Sequence, residues 1–199
     1  MLSLVRKKTA GFTLIELLIV IGIIVILSVV VILTLNPAQL LAQSRDSRRV
    51  SDLAALQSAI ALYLVDASAP SIVSSSSPWK CYYNSLAGFP SGGTNGCGGR
   101  FSGSQTSQSS TPLGVTGGGW IPINFTDVSS GSPISNLPTD PVNDTTKFMA
   151  YVGSSSLVYE INVSLESTKY TTGAGSLLTT DGGNSSTLYE VGTKGGLDL

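Results

Sequence analysis

Gly11-Phe12-Thr13-Leu14-Ile15-Glu16-Leu17-Leu18-Ile19-Val20 begins the stretch on which the reading of the whole chain depends. From Phe12 to Leu35 the only ionisable side chain is Glu16, and the only small or hydroxylic ones are Thr13, Gly22, Ser28 and Thr34. As a helix this run reaches ~36 Å, enough to cross the hydrocarbon core of a bilayer. Arg6, Lys7 and Lys8 precede it with no acidic residue among them, which by the positive-inside tendency places that end in the cytoplasm. Hydropathy alone would describe a simple signal-anchor. Glu16 does not fit that description, because a carboxylate about one turn into an apolar helix costs a few kcal/mol unless it is neutral or paired.

Lys7-Lys8-Thr9-Ala10-Gly11 followed by Phe12-Thr13-Leu14-Ile15-Glu16 resembles the leader and mature start of type IV prepilins and type II secretion pseudopilins. The resemblance implies a membrane-embedded prepilin peptidase that cuts between Gly11 and Phe12 and N-methylates the new Phe12 amine. It also gives Glu16 a partner, the terminal amine of a neighbouring subunit during assembly. Two opposite charges among apolar helices offset each other's desolvation, whereas each alone is expensive. The motif covers roughly the first third of the chain. Two departures from the family pattern stand out. No proline lies in the middle of the apolar run, Pro37 coming only at its end, and the two cysteines enclose an early loop instead of a C-terminal one.

The expected organisation is a leader over 1–11, a transmembrane or filament-core helix over 12–35, an amphipathic helix over 36–66 and an extracytoplasmic β-rich head over 67–199. The apolar run is followed by Asn36-Pro37-Ala38-Gln39 without an Ala-x-Ala site, so it is retained as an anchor. Pro37 predicts a kink near Leu33–Asn36 in a rod of ~80 Å running from Phe12 to about Asp66. Val50, Leu53, Ile60 and Leu64, with Leu56 and Tyr63 alongside, give the second half one apolar face. Arg45, Asp46, Arg48, Arg49 and Asp52 are assigned to the opposite face, either solvated or paired between subunits.

The head has the composition of a loop-rich exterior domain, with 22 Gly and only 12 % charged residues in 199. Two cysteines in an exported chain, Cys81 and Cys97, most simply form a disulfide, free thiols being the alternative. Residues 102–119 are low in complexity and read as a long surface loop. Order is expected to resume at Trp120–Phe125. Leu137-Pro138-Thr139-Asp140-Pro141-Val142-Asn143 is a rigid turn that resembles the Leu-Pro-x-Asp-Pro run ahead of the sheet in major pseudopilins. Strands are expected at Phe148–Gly153, Leu157–Val163, Lys169–Thr172 and Leu188–Val191. In the second of these the apolar residues alternate with Val158, Glu160 and Asn162, as in a half-buried strand. The fold class is therefore α+β and pilin-like, a long helix whose C-terminal half covers a small antiparallel sheet.

Several function classes fall away on composition. With no histidine, His-based triads and His-ligated catalytic metals are excluded, and no nucleophile elbow, Walker loop or dinucleotide fingerprint occurs, so no enzyme and no cofactor is expected. Eleven Lys and Arg oppose twelve Asp and Glu, and losing the three basic leader residues leaves 8 against 12, a balance of −4 that gives no support for a general nucleic-acid-binding surface and leaves open a local basic patch on an assembled fibre. Asp181 and Asn184 in Thr180–Asn184 offer calcium too few oxygens, so that segment reads as a Gly-rich hairpin turn. Four Asn-x-Ser/Thr sites, at Asn124, Asn143, Asn162 and Asn184, are close to chance in a chain this rich in Ser and Thr. The function expected is that of a structural subunit of a type IV pilus-like filament, anchored in the cytoplasmic membrane before assembly and exposed as a cell-surface fibre afterwards. Its expected partners are copies of itself, the prepilin peptidase and an inner-membrane assembly platform. The alternatives are a type II secretion pseudopilin and an anchored binding module that never polymerises.

Overall fold

The computed structural model describes residues 11–73, 80–84, 96–101, 106–109 and 112–193. The rest of the leader and the Ser74–Ser77 linker lie outside the described residues. The chain divides into two units, Met1–Leu40 and Leu41–Leu199.

In the first unit, α1 runs over Leu14–Leu35 and ends at Asn36, whose φ of 42° is left-handed. Asn36 then starts α2, Pro37–Asp66, by accepting the Gln39 and Leu40 amides on its carbonyl at 3.0 and 3.3 Å. The expected kink is therefore a break. Pro37 occupies the first position of a new helix, where its missing N–H leaves no bond unmade, and Asn36 is a residue type that tolerates the left-handed conformation.

In the second unit a five-stranded sheet has the order β2-β1-β3-β4-β5, comprising β1 Lys80–Asn84, β2 Thr106–Ser109, β3 Met149–Gly153, β4 Tyr159–Val163 and β5 Tyr189–Gly192. β1, β3, β4 and β5 are antiparallel neighbours, and β2 adds to β1 in parallel. The fold is α+β and pilin-like. Leu53, Leu56, Ile60 and Tyr63 of α2 enter one core with Tyr82, Tyr151, Tyr159, Ile161, Val163 and Val191. Trp120, Ile121, Ile123 and Phe125 are wholly buried in the same core, where order was expected to resume. A second cluster of Cys81, Tyr83, Cys97, Phe101, Phe148, Ala150 and Val152 covers the opposite face.

Three expectations are corrected. Lys169–Thr172 is not a strand: Thr168–Thr171 is a single helical turn, with the Thr171 and Thr172 hydroxyls donating to the Ser167 and Thr168 carbonyls at 2.9 and 2.7 Å. Local side-chain bonding overrides the β-preference of threonine here. The 102–119 stretch is not wholly loop, since Thr106–Ser109 pairs with β1 and Leu113 and Val115 carbonyls accept the Leu137 and Phe125 amides at 2.8 Å each. Nor is β4 half-buried, because Glu160 is 1 % and Asn162 0 % exposed. It begins only at Tyr159, Leu157 lying in the preceding turn with φ 59°.

Cys81 and Cys97 form a disulfide with their Cα atoms 5.9 Å apart, tying β1 to the turn at Gly96–Gly99. The bond closes a loop of sequence separation 16, for which the chain-entropy account gives about 3 kcal/mol. Replacing both cysteines with serine should lower unfolding stability by about that amount in a denaturant titration. An unchanged midpoint would show that the crosslink does not constrain the unfolded chain.

Candidate functional site

The start of α1 is built by two side chains. Thr13 is the N-cap, in an extended conformation, and Glu16 stands three residues on. The Thr13 N–H and hydroxyl donate to Glu16 Oε2 at 2.8 and 2.7 Å, while the Glu16 N–H donates to the Thr13 hydroxyl at 3.3 Å. This reciprocal capping box satisfies backbone donors that a helix start otherwise leaves open. Both Thr13 donors converge on one oxygen; among the described residues Oε1 accepts no hydrogen bond. Phe12 is 78 % exposed just before the cap. At Gly11 a Cβ would meet nothing within 4 Å, so packing in this chain does not require glycine there.

Beyond Glu16 the helix is apolar on every side. Leu14–Ile32 is long and apolar enough to cross a membrane. Its remaining polar groups are internally satisfied, since Ser28 donates to the Ile24 carbonyl at 2.7 Å and Thr34 to that of Val30 at 3.0 Å. Hydrocarbon penalises unmatched polar groups, and these hydroxyls are matched. Glu16 alone in the helix carries a charge.

A family model for the prokaryotic N-terminal methylation motif matches residues 6–32. The chain carries the type IV pilin and pseudopilin signature. No curated relative and no solved structure matches it. The pilin motif implies processing by a prepilin peptidase and membrane-associated filament assembly. It points to a structural protein, and with the apolar helix it supports membrane anchoring before assembly.

The charges of α2 in this pilin-like chain are not where the sequence reading put them. Ala42, Asp46, Arg49, Leu53, Leu56, Ile60 and Tyr63 form one buried stripe at alternating spacings of four and three, so Asp46 and Arg49 continue the apolar face instead of opposing it. Both are 0 % exposed. Arg49 grips Asp140 with two parallel bonds, Nε to Oδ2 and Nη2 to Oδ1, at 2.7 Å each. Its Nη1 reaches Asp46 at 2.9 Å and also pairs with Glu166. Asp46 accepts the Glu166 amide at 3.0 Å and the Ser167 amide at 2.7 Å, and Arg45 donates to Glu166 at 2.6 Å. Burial opposes the Arg49 charge more than any other single influence, yet Asp140, Glu166 and Asp46 outweigh it and raise its pKa. Glu166 is held below the ordinary carboxylate range, first by Arg45 and then by Arg49. Only Arg48 and Asp52, 3.5 Å apart, resemble the solvated pair that was expected.

The Leu137–Asn143 turn thus has a mechanical role. Asp140 Oδ1 accepts the Val142 and Asn143 amides at 2.8 and 3.3 Å while both carboxylate oxygens hold Arg49. Asp140 and Glu166 were missed by the sequence reading, the Leu-Pro-Thr-Asp-Pro run being the only signal that could have found the first. Asp181 braces its own turn, accepting the Gly183 and Glu190 amides at 3.1 and 2.8 Å. Among the described residues no group of three Cys, Asp or Glu is arranged to hold a metal ion.

Proposed function

We propose that the chain is a structural subunit of a type IV pilus-like filament, with a structural and not a catalytic role. The precursor enters the cytoplasmic membrane with leader 1–11 inside. The prepilin peptidase cuts between Gly11 and Phe12 and methylates the Phe12 amine. Segment 12–35 then trades lipid for the same segment of neighbouring subunits, segment 36–66 continues into the head, and residues 67–199 face outward. An inner-membrane platform drives growth, and a head-to-tail contact repeated along a screw axis gives an open fibre.

One observation carries this reading. Glu16 is the single charge on an all-apolar helix, and among the described residues its partner Thr13 occupies one oxygen. In hydrocarbon such a group calls for a cation, and cleavage would create one at Phe12 of a neighbour. The capping box gives the carboxylate a holding partner until then. The Leu137–Asn143 turn, locked to Arg49, favours the pseudopilin of a type II secretion system as the second reading.

Mass spectrometry of the N-terminus, from native membranes and from sheared surface material, is the direct test. The expected species begins at N-methylated Phe12 and is present in the sheared fraction. A chain beginning at Met1, or cut elsewhere, would leave Glu16 without its partner and return the protein to the class of anchored binding modules.

A further inference from the structure

Arg100 is a cation held entirely by neutral groups. Its Nη1 donates to the Phe148 carbonyl at 2.7 Å and to Asn162 Oδ1 at 3.5 Å. Its Nη2 donates to the Thr146 carbonyl at 3.0 Å and to the Ser164 hydroxyl at 3.1 Å. The guanidinium also lies 3.5 Å from the centre of the Phe148 ring. Among the described residues no carboxylate forms an ion pair with it. Burial pulls its pKa down to about 9, with Asp140 opposing that pull and Arg49 adding to it. The group is therefore charged at neutral pH, half-buried, with its Nη2 edge beside the exposed Thr146.

Asp127 is an anion in the complementary position. It is exposed at the end of the single 3-10 turn Phe125–Asp127, where Oδ1 accepts Asn124 Nδ2 at 2.7 Å. Among the described residues Oδ2 accepts no hydrogen bond and no cation pairs with the carboxylate. Other acids near the surface are already engaged, since both oxygens of Asp66 hold Ser129 and both oxygens of Asp181 hold backbone amides. No Lys or Arg occurs in 50–79 or in 101–146, so the region shared by Asp66 and Asp127 is acidic without local compensation.

Within the second unit these two groups stand at opposite ends of α2. Arg100 binds Ser164, and Glu166, two residues further on, is gripped by Arg45 near the start of that helix. Asp127 lies two residues before Ser129, which is bound to Asp66, the last residue of the helix. About 30 Å of helix separates Arg45 from Asp66 at ~1.5 Å per residue, far beyond the reach of an ion pair within one chain. Between two copies the same charges can meet, and a contact between unlike ends propagates as an open fibre.

We propose that Arg100 of one subunit receives Asp127 of the next, as a head-to-tail charge pair between copies of this chain. The inference deepens the filament reading and rests on it. Arg100 is already fixed by four acceptors and a ring, and Asp127 by Asn124, so little side-chain freedom remains to be lost on contact. A guanidinium fork matches a carboxylate in shape, and its partly dry setting strengthens the attraction. Setting the unlike charges at opposite ends also penalises head-to-head contacts, which bring like charges together.

The test uses fibres sheared from cells and the full chain dispersed in detergent. Arg100→Lys puts an amine where a zero-length carbodiimide joins it to a carboxylate in contact. Peptide mapping of the fibres should show a link between positions 100 and 127 that is absent from the dispersed chain. Asp127→Asn keeps Oδ1 for Asn124 but removes the charge. The subunit level needed for fibres should then rise about tenfold, as for one close charge pair lost at each contact, with the melting midpoint of the dispersed chain unchanged. This second readout holds even if Arg100→Lys fails to fold. Fibres in which position 100 is linked elsewhere, or Asp127→Asn fibres at the wild-type threshold, overturn the pair and leave the filament reading standing. Absence of wild-type fibres, with the N-terminus uncut, overturns both together.

Discussion

Glu16→Ala is expected to abolish recovery of the chain in sheared surface fibres while leaving the head's melting midpoint and its Cys81–Cys97 disulfide unchanged. The substitution removes the only charge on α1 and one half of its capping box. Within the single chain the loss is modest, since a lost helix cap costs about 1 kcal/mol. Between subunits it is large: a buried amine left without its counter-charge costs about 3–5 kcal/mol, which is a hundredfold or more in association at each contact. The effect repeats at every subunit, so fibre yield falls much more steeply than any monomer property. Thr13→Val separates the two roles of the carboxylate. It removes the hydroxyl that holds Oε2 at 2.7 Å but keeps the charge, so helix capping weakens and assembly persists. Fibres at wild-type yield from Glu16→Ala would remove the charge-pairing mechanism and favour a monomeric anchor.

The second large effect is in the head. Arg49→Met should destabilise it by about 3–5 kcal/mol in denaturant unfolding, because Asp46 and Asp140 stay buried after their shared cation is gone. Loss of charge and loss of the two-pronged grip act together, so Arg49→Lys should also be poorly tolerated: an ammonium cannot reproduce paired bonds to Asp140. Adding Asp46→Asn and Asp140→Asn to Arg49→Met should restore part of the loss by removing the stranded charges. No recovery in that triple variant would assign the damage to packing. The same cluster sets the acid limb of stability. Glu166 is lowered on folding by Arg45 and Arg49, so its contribution is present above the ordinary carboxylate range and is lost as pH falls through its lowered value.

Some of this was legible residue by residue. The apolar run behind Phe12, the helical period from Leu53 to Tyr63 and the strands at 149–153, 159–163 and 189–192 are local patterns, and local patterns survive folding. β2 was not legible, because a strand of Thr, Ser and Gln earns its place through backbone pairing with β1, which leaves no mark on side-chain composition. Arg49 and Asp46 were read as solvated or as paired between subunits, because charges beside an apolar stripe usually face outward. Their burial depends on Asp140, 91 positions from Arg49, and on the Glu166 and Ser167 amides, 120 and 121 positions from Asp46.

By itself the sequence determined that this chain has an anchor-length apolar helix with one charge at its start, preceded by the basic residues Arg6, Lys7 and Lys8, and an α+β fold behind it. These follow from composition and short-range periodicity, which water and lipid sort without regard to what lies elsewhere in the chain. Tertiary structure alone decided which charges are buried, and which carboxyls stand beside a cation. Those outcomes depend on partners brought together by the closing of the sheet, and a buried charge is tolerable only where such a partner arrives.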